Sequence, residues 1–202
     1  MDRLLLHTCC APCSVYCVDS LRGEGIEPVS FWYNPNIHPY QEYRARRDTL
    51  IEYDKSMGLE LIVRDNYGLR DFVRAVAGDL DHRCGRCYTC RLEETARYAA
   101  ENGFTHFSTT LLVSPYQNHD GICRTAEALA AQYGVEFLYR DFRPGFRQGQ
   151  AKPGSWASTC RNIAAAYSPR RSGTQNRSPG TRKNSPNKNP GRGNSSASWI
   201  FF

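Results

Sequence analysis

Methionine is scarce, with two among 202 residues, and no run of eighteen apolar residues occurs. A helical membrane span needs roughly that length, so none is expected. The start, Met-Asp-Arg-Leu-Leu-Leu-His, turns polar too soon for a secretory leader. Both points lead to the expectation of a cytoplasmic protein with no membrane partner. Acid is missing beyond Asp141: all twenty Asp and Glu lie at or before it, with fifteen Lys and Arg, a net of −5. The remainder holds eleven Lys and Arg and no acid, a net of +11, so the overall +6 rests on the tail. Charge alone therefore gives no reason to read the first 141 residues as a nucleic-acid binder. Glycine is missing from "HTCCAPCS", the turn after the first apolar run. That disfavours a phosphate-cradling loop, and with it a nucleotide-binding α/β enzyme that activates or thiolates tRNA.

Cysteine, by contrast, is plentiful, with nine residues. In a reducing compartment, that number suggests metal or redox chemistry before structural disulfides. Cys9, Cys10 and Cys13 fall on the turn after the first apolar run, and Cys84, Cys87 and Cys90 form "CGRCYTC". Two clustered sets at separate positions suit a metal or cluster held between two loops, and four thiolates would serve a [4Fe–4S] cube or a structural zinc. Spacing does not choose between them. Cys17 and Cys123 stand alone and read as packing residues.

The chain alternates strand and helix patterns. Residues 3–8 predict a buried strand, followed by a helix from Pro12 to about Leu21. "EPVSFWYNPN", "LELIVRD", "THFSTTLLVS" and "VEFLYRDF" predict further strands. "YQEYRARRDTLIEYDKSMG", "GLRDFVRAVAG", a long segment from about Cys87 to Gly103, and "ICRTAEALAAQYG" predict helices. The expected fold is a three-layer α/β domain over residues 1–150, with a mostly parallel, doubly wound, Rossmann-like sheet. Its site is expected beyond the carboxyl ends of the strands, where residues 7–13, 33–38 and 110–117 would meet. Residues 151–202 form a basic, low-complexity tail, expected to be disordered.

The segments "LLLHTCCAPCS", "YNPNIHPYQEYRAR", "RCGRCYTCRLEETA" and "TTLLVSPYQ", in this order over roughly the first 145 residues, resemble the signature segments of the QueH-type epoxyqueuosine reductases. The resemblance implies a cobalamin-independent enzyme of queuosine synthesis that acts on tRNA carrying epoxyqueuosine and removes the epoxide oxygen at the wobble position. It implies an iron–sulfur cluster on Cys9, Cys10, Cys84 and Cys87, with Cys13 as a further metal ligand, for instance of an additional iron. The electron donor is unidentified. A proton must reach the epoxide oxygen, and His7, Tyr33, His38 and Tyr88 are the candidates by position. Packed aromatics are the plainer reading of all four.

For the substrate, Asn34 and Asn36 would shape the pocket, although "NPN" also reads as an ordinary turn. Arg44 would meet an RNA phosphate, although spacing places residues 42–47 on a solvated helix face. Arg91 would support the cluster loop or substrate, against plain pairing with Glu94 one turn on. Ser114 and Gln117 would reach nucleoside hydroxyls, with helix capping the alternative for Ser114. A third reading of the whole chain is a zinc-binding, RNA-associated module without catalysis.

One element of the resemblance is missing. The family typically closes with "GLY…YCGC", whose Cys-Gly-Cys is the expected dithiol pair, and here only Cys160 occurs. Read one base earlier over residues 152–167, codons compatible with the written residues spell Ala-Arg-Glu-Leu-Gly-Leu-Tyr. After three more residues they spell Tyr-Cys-Gly-Cys. The expectation is a frameshift near residue 150 and impaired turnover.

Overall fold

A computed structural model describes residues 3–79 and 81–151. The expected tail, Cys160 and the shifted-frame segment lie outside the described residues. Five strands are formed: β1 (Leu4–His7), β2 (Pro28–Trp32), β3 (Leu61–Val63), β4 (His106–Thr109) and β5 (Glu136–Phe137). The helices are α1 (Ala11–Gly23), α2 (Tyr40–Met57), α3 (Leu69–Val76), α4 (Arg83–Glu101), α5 (His119–Tyr133) and the short α6 (Phe146–Ala151). The sheet order is β3-β2-β1-β4-β5, and every pairing is parallel.

All four residues of β1 are buried, as expected for a central strand covered on both faces. The chain builds outward from β1 through β2 to β3, then returns to lay β4 and β5 on the other side. Right-handed crossovers in this order send α1 and α2 to one face and α4 and α5 to the other. The packing agrees: α1 contacts α2, while α4 contacts α5 and β1. The result is a three-layer α/β fold. Leu4, Leu5, Leu6, Phe31, Trp32 and Phe107 fill its centre, and Leu21, Leu50 and Leu92 seal it from the helices.

Local chemistry explains where elements stop. Gly58 (φ 64°) and Gly134 (φ 69°) end α2 and α5 in the left-handed conformation, which costs a residue without Cβ little. The run "TTLLV" departs from the expected strand. After Thr109 it winds into a 3-10 turn, Thr110–Val113. The Leu111 amide donates to Thr109 Oγ1 at 3.2 Å, giving the turn its cap. The apolar residues of this turn are as buried as strand residues would be, which is why composition alone misreads it.

A second departure is the start of α4, at Arg83 rather than about Cys87. "CGRC" is therefore already helical. β1 and β4 are adjacent, with His7 level with Thr109, and the segments leaving them turn to opposite faces. The crevice at this switch point is where such sheets bind their ligands.

Candidate metal centre at the sheet rim

The turn leaving β1 is short and tightly held. Cys10 is extended (φ −176°, ψ 161°) and opens α1, with proline in the first turn. The Cys9 amide donates to Thr110 Oγ1 at 3.2 Å, and that hydroxyl lies 3.6 Å from Cys9 Sγ as a donor. The Cys9 and Cys10 sulfurs are 3.8 Å apart, those of Cys10 and Cys13 3.3 Å. All three sulfurs fall within 4.8 Å of one another, a spacing that fits ligands of one metal centre. Contacts with Cys10 and then Cys13, with help from Thr110, hold the Cys9 thiol well below its usual pKa despite burial. The same contacts, with burial, push Cys13 up, so the trio favours one thiolate before metal arrives.

Neighbouring segments close around this turn. Asn34 Nδ2 donates to the Thr8 carbonyl at 2.9 Å, tying the β2 loop to the cysteine turn. His7 Nδ1 lies 2.9 Å from Thr109 Oγ1. Burial first, and then Arg91, pushes His7 down to about 4, so its ring is neutral at physiological pH. Asn34 stands beside His7, yet neither His7 Nε2 nor Asn34 Oδ1 completes a hydrogen bond among the described residues. From α4, Tyr88 donates to Gln117 Oε1 at 2.7 Å and accepts from the Asn118 amide at 3.2 Å. Cys87 is buried against Phe72 and Val76 of α3, and burial pushes its thiol up, with Arg91 and more weakly Asn36 pulling the other way. Residues 7–13, 33–38 and 110–117 thus meet at one rim, as the strand pattern predicts, and Tyr88 of α4 joins them at Gln117.

A family model described as epoxyqueuosine reductase QueH matches residues 4–156. The chain belongs to the epoxyqueuosine reductase QueH family. Its members are oxidoreductases of queuosine biosynthesis. The family protein of Dehalococcoides mccartyi is 42% identical over 142 residues, covering 70% of this chain and 78% of that protein. That of Thermotoga maritima is 34% identical over 156 residues, covering 72% and 77%. That of Histophilus somni is 34% identical over 146 residues, 70% of this chain but only 59% of the relative.

Against the motifs of this family, the candidate residues separate. Cys9, Cys10 and Cys13 come together. Cys84 is exposed at the start of α4, and Cys87 is buried one turn further on. Neither falls in a group of three possible ligands spaced for one ion among the described residues. The cysteine trio fits a metal, and α4 carries Cys84 and Cys87 in the same segment as Tyr88, which reaches Gln117. Cys90 directs its thiol to the Cys87 carbonyl at 3.5 Å, and burial pushes it up to about 11. Cys17 is fully buried in the core.

Tyr33 is half-buried, and burial raises its pKa. His38 packs on Tyr67 and Phe72, with both ring nitrogens unpartnered among the described residues. Arg44 is exposed and pairs with Asp48 at 3.3 Å, as a solvated helix face should. Its neighbour Arg46 departs from that face: it is 6% exposed and bonded to Glu42 at 2.7 Å. Ser114 does not cap α5. Asn118 does, accepting from the Gly121 amide at 2.9 Å, while Ser114 Oγ accepts from the Tyr116 amide. Thr109, Thr110 and Arg46 are the site residues that sequence reasoning missed. The paired threonines at the end of β4, level with the histidine before the cysteines, were the available signal.

Proposed function

We propose that the chain reduces epoxyqueuosine to queuosine at the wobble position of tRNA, removing the epoxide oxygen with two electrons. The observation that carries this reading is the cysteine trio at the sheet rim, set within the family's matched segment. The proposed cofactor is a [4Fe–4S] cluster on Cys9, Cys10, Cys84 and Cys87, with Cys13 available to an additional iron. When bound, such a cluster supplies single electrons and a Lewis-acidic iron. Turning the epoxide into an alkene consumes two electrons and two protons and releases water, so an external electron donor is required.

The chain's own residues orient the substrate and the epoxide oxygen. His7 is the best placed of the four candidates to hydrogen-bond that oxygen, because Thr109 fixes one ring nitrogen and leaves Nε2 available; its neutral ring orients the oxygen rather than acting as the acid. Tyr88 already donates to Gln117, so its role is to hold the Gln117 loop against α4. Tyr33 and His38 shape the pocket wall. Asn34 and Asn36 each keep an Oδ1 unpartnered among the described residues, suited to accept from substrate hydroxyls. Ser114 and Gln117 line the opposite side for the nucleoside, and Arg44 meets a phosphate from outside. Soluble, cytoplasmic action fits such a substrate, and no helix among the described residues is long and apolar enough to cross a membrane.

The test is anaerobic reconstitution with iron and sulfide, followed by assay on tRNA carrying epoxyqueuosine. Brown protein with a broad visible band, and loss of that band in Cys9→Ser and Cys87→Ser, is expected. Colourless protein with stoichiometric zinc would sink the cluster reading and favour a zinc module. ATP binding by metal-free protein would favour a nucleotide-binding enzyme.

A further inference from the structure

Two arginines are buried among the described residues, Arg46 and Arg91. Arg46 has its acid, Glu42, at 2.7 Å. Arg91 is only 4% exposed, and its one hydrogen bond among the described residues runs from Nε to the Cys87 carbonyl of its own helix, at 2.9 Å. No carboxylate lies within ion-pair distance of it among the described residues. Glu94, the partner that helical spacing offers, is taken by Arg97 at 2.7 Å and approached by Arg64 at 3.6 Å. Outside the described residues the sequence holds a single acidic side chain, Asp2. A buried guanidinium without a counter-ion is costly, and folds retain one where an anion will face it.

The guanidinium is held against Cys87, one of the proposed cluster ligands, through the 2.9 Å bond to its carbonyl, one turn back on the same helix. Thiolates bound to a metal are the anions the chain itself places there. A phosphate is a poorer match, because Arg91 is almost closed to solvent and tethered at Nε toward the cysteine helix.

We infer that Arg91 is the built-in counter-charge of the metal–thiolate centre: a positioning residue that retains the thiolates in metal-bound form and raises the centre's reduction potential. The inference rests on the metal-site reading above. A fixed positive charge in a buried site favours the more negative, reduced state of the centre and opposes return of protons to its sulfurs. Arg46 is neutralised by Glu42, whereas Arg91 has no carboxylate partner among the described residues.

The experiment compares reconstituted wild type with Arg91→Gln, Arg91→Lys and the surface control Arg97→Gln. Spectropotentiometric titration should place Arg91→Gln at a more negative midpoint, with Arg91→Lys close to wild type and Arg97→Gln unchanged. An Arg91→Gln protein that folds normally and keeps the wild-type midpoint overturns the inference. Wild type without iron and sulfide instead overturns the cluster reading, and the inference is then read with Co2+ alone. The sulfur-to-cobalt band of the apo-protein should show affinity weakened about tenfold in Arg91→Gln, the low end of what losing a group that supports the metal ligands costs, and restored in Arg91→Lys. Equal Co2+ affinity in all three overturns it. If Arg91→Gln fails to fold, Arg91→Met, which keeps the apolar stem volume, takes its place in both arms.

Discussion

Asp54 lies near the end of α2, 1% exposed, and neither carboxyl oxygen completes a hydrogen bond among the described residues. Burial pushes its pKa from 3.8 to about 7, with Ser30 pulling weakly the other way. The folded state therefore holds a proton that the unfolded state releases near pH 4. Stability from this group is greatest at low pH and falls as pH rises from about 4 to about 7, where the loss levels off. A rise of that size corresponds to roughly 4 kcal/mol at most. Asp54→Asn should unfold at nearly the same temperature at pH 5.5 and pH 8, whereas wild type should be clearly less stable at pH 8. Parallel pH profiles for the two proteins would refute the assignment. Nothing in the helical spacing of "LIEYDKSMG" marks this aspartate as buried, because an acid near a helix end reads as surface. Arg46 was illegible for the same reason: one turn of "EYRARRD" carries three arginines, and only burial in the fold tells Arg46 from its neighbours. The cysteines were legible because thiols clustered at two short spacings are the pattern of a metal site.

At the scale of elements, α3 is held over the second cysteine set by one close approach. A Cβ added to Gly68 would lie 2.7 Å from Pro35 Cβ and 3.2 Å from the Pro35 carbonyl oxygen. Pro35 sits between Asn34 and Asn36, so the start of α3 bears directly on the loop that follows β2. From there, Phe72 reaches His38 and, with Val76, covers Cys87. Gly68→Ala must push α3 and this loop apart, at a cost of about 1–3 kcal/mol. In apo-protein carrying Cys84→Ser, alkylation of Cys87, followed peptide by peptide, should speed up several-fold; an unchanged Cys87 rate would show that α3 is not its cover. The existence of α3 was readable from "GLRDFVRAV", but not what its apolar face meets. The alternation of elements fixes the parallel sheet and the rim, because strand ends follow from chain order. Boundaries were less readable. α4 begins a turn early at Arg83, where no apolar residue announces it, and "TTLLV" is a capped turn with the composition of a strand.

For the whole molecule, the charge division and the family match point to the same place. Net charge runs from −5 up to Asp141 to +11 beyond it. The family match stops at residue 156, short of Cys160 and of the Ala164, Ala165 and Ala166 run that yields Cys-Gly-Cys one base away. All of the rim residues named above lie before Asp141, so a frameshift near residue 150 would leave the metal centre's own ligands untouched. It would remove only the dithiol that the resemblance assigns to the reaction. Binding and turnover should therefore separate. We predict that the chain as written reconstitutes with iron and sulfide to the same level as a version restored to the shifted frame from residue 152. Only the restored version should convert epoxyqueuosine to queuosine at a substantial rate, as read by mass spectrometry of nucleosides from the digested tRNA. Equal turnover by both chains would remove any need for the dithiol. Poor reconstitution of the written chain would show instead that the altered segment contributes to holding the metal. The gene's nucleotides around codon 150 give an independent check, since a frame that does not encode Cys-Gly-Cys there ends the frameshift reading whatever the kinetics show.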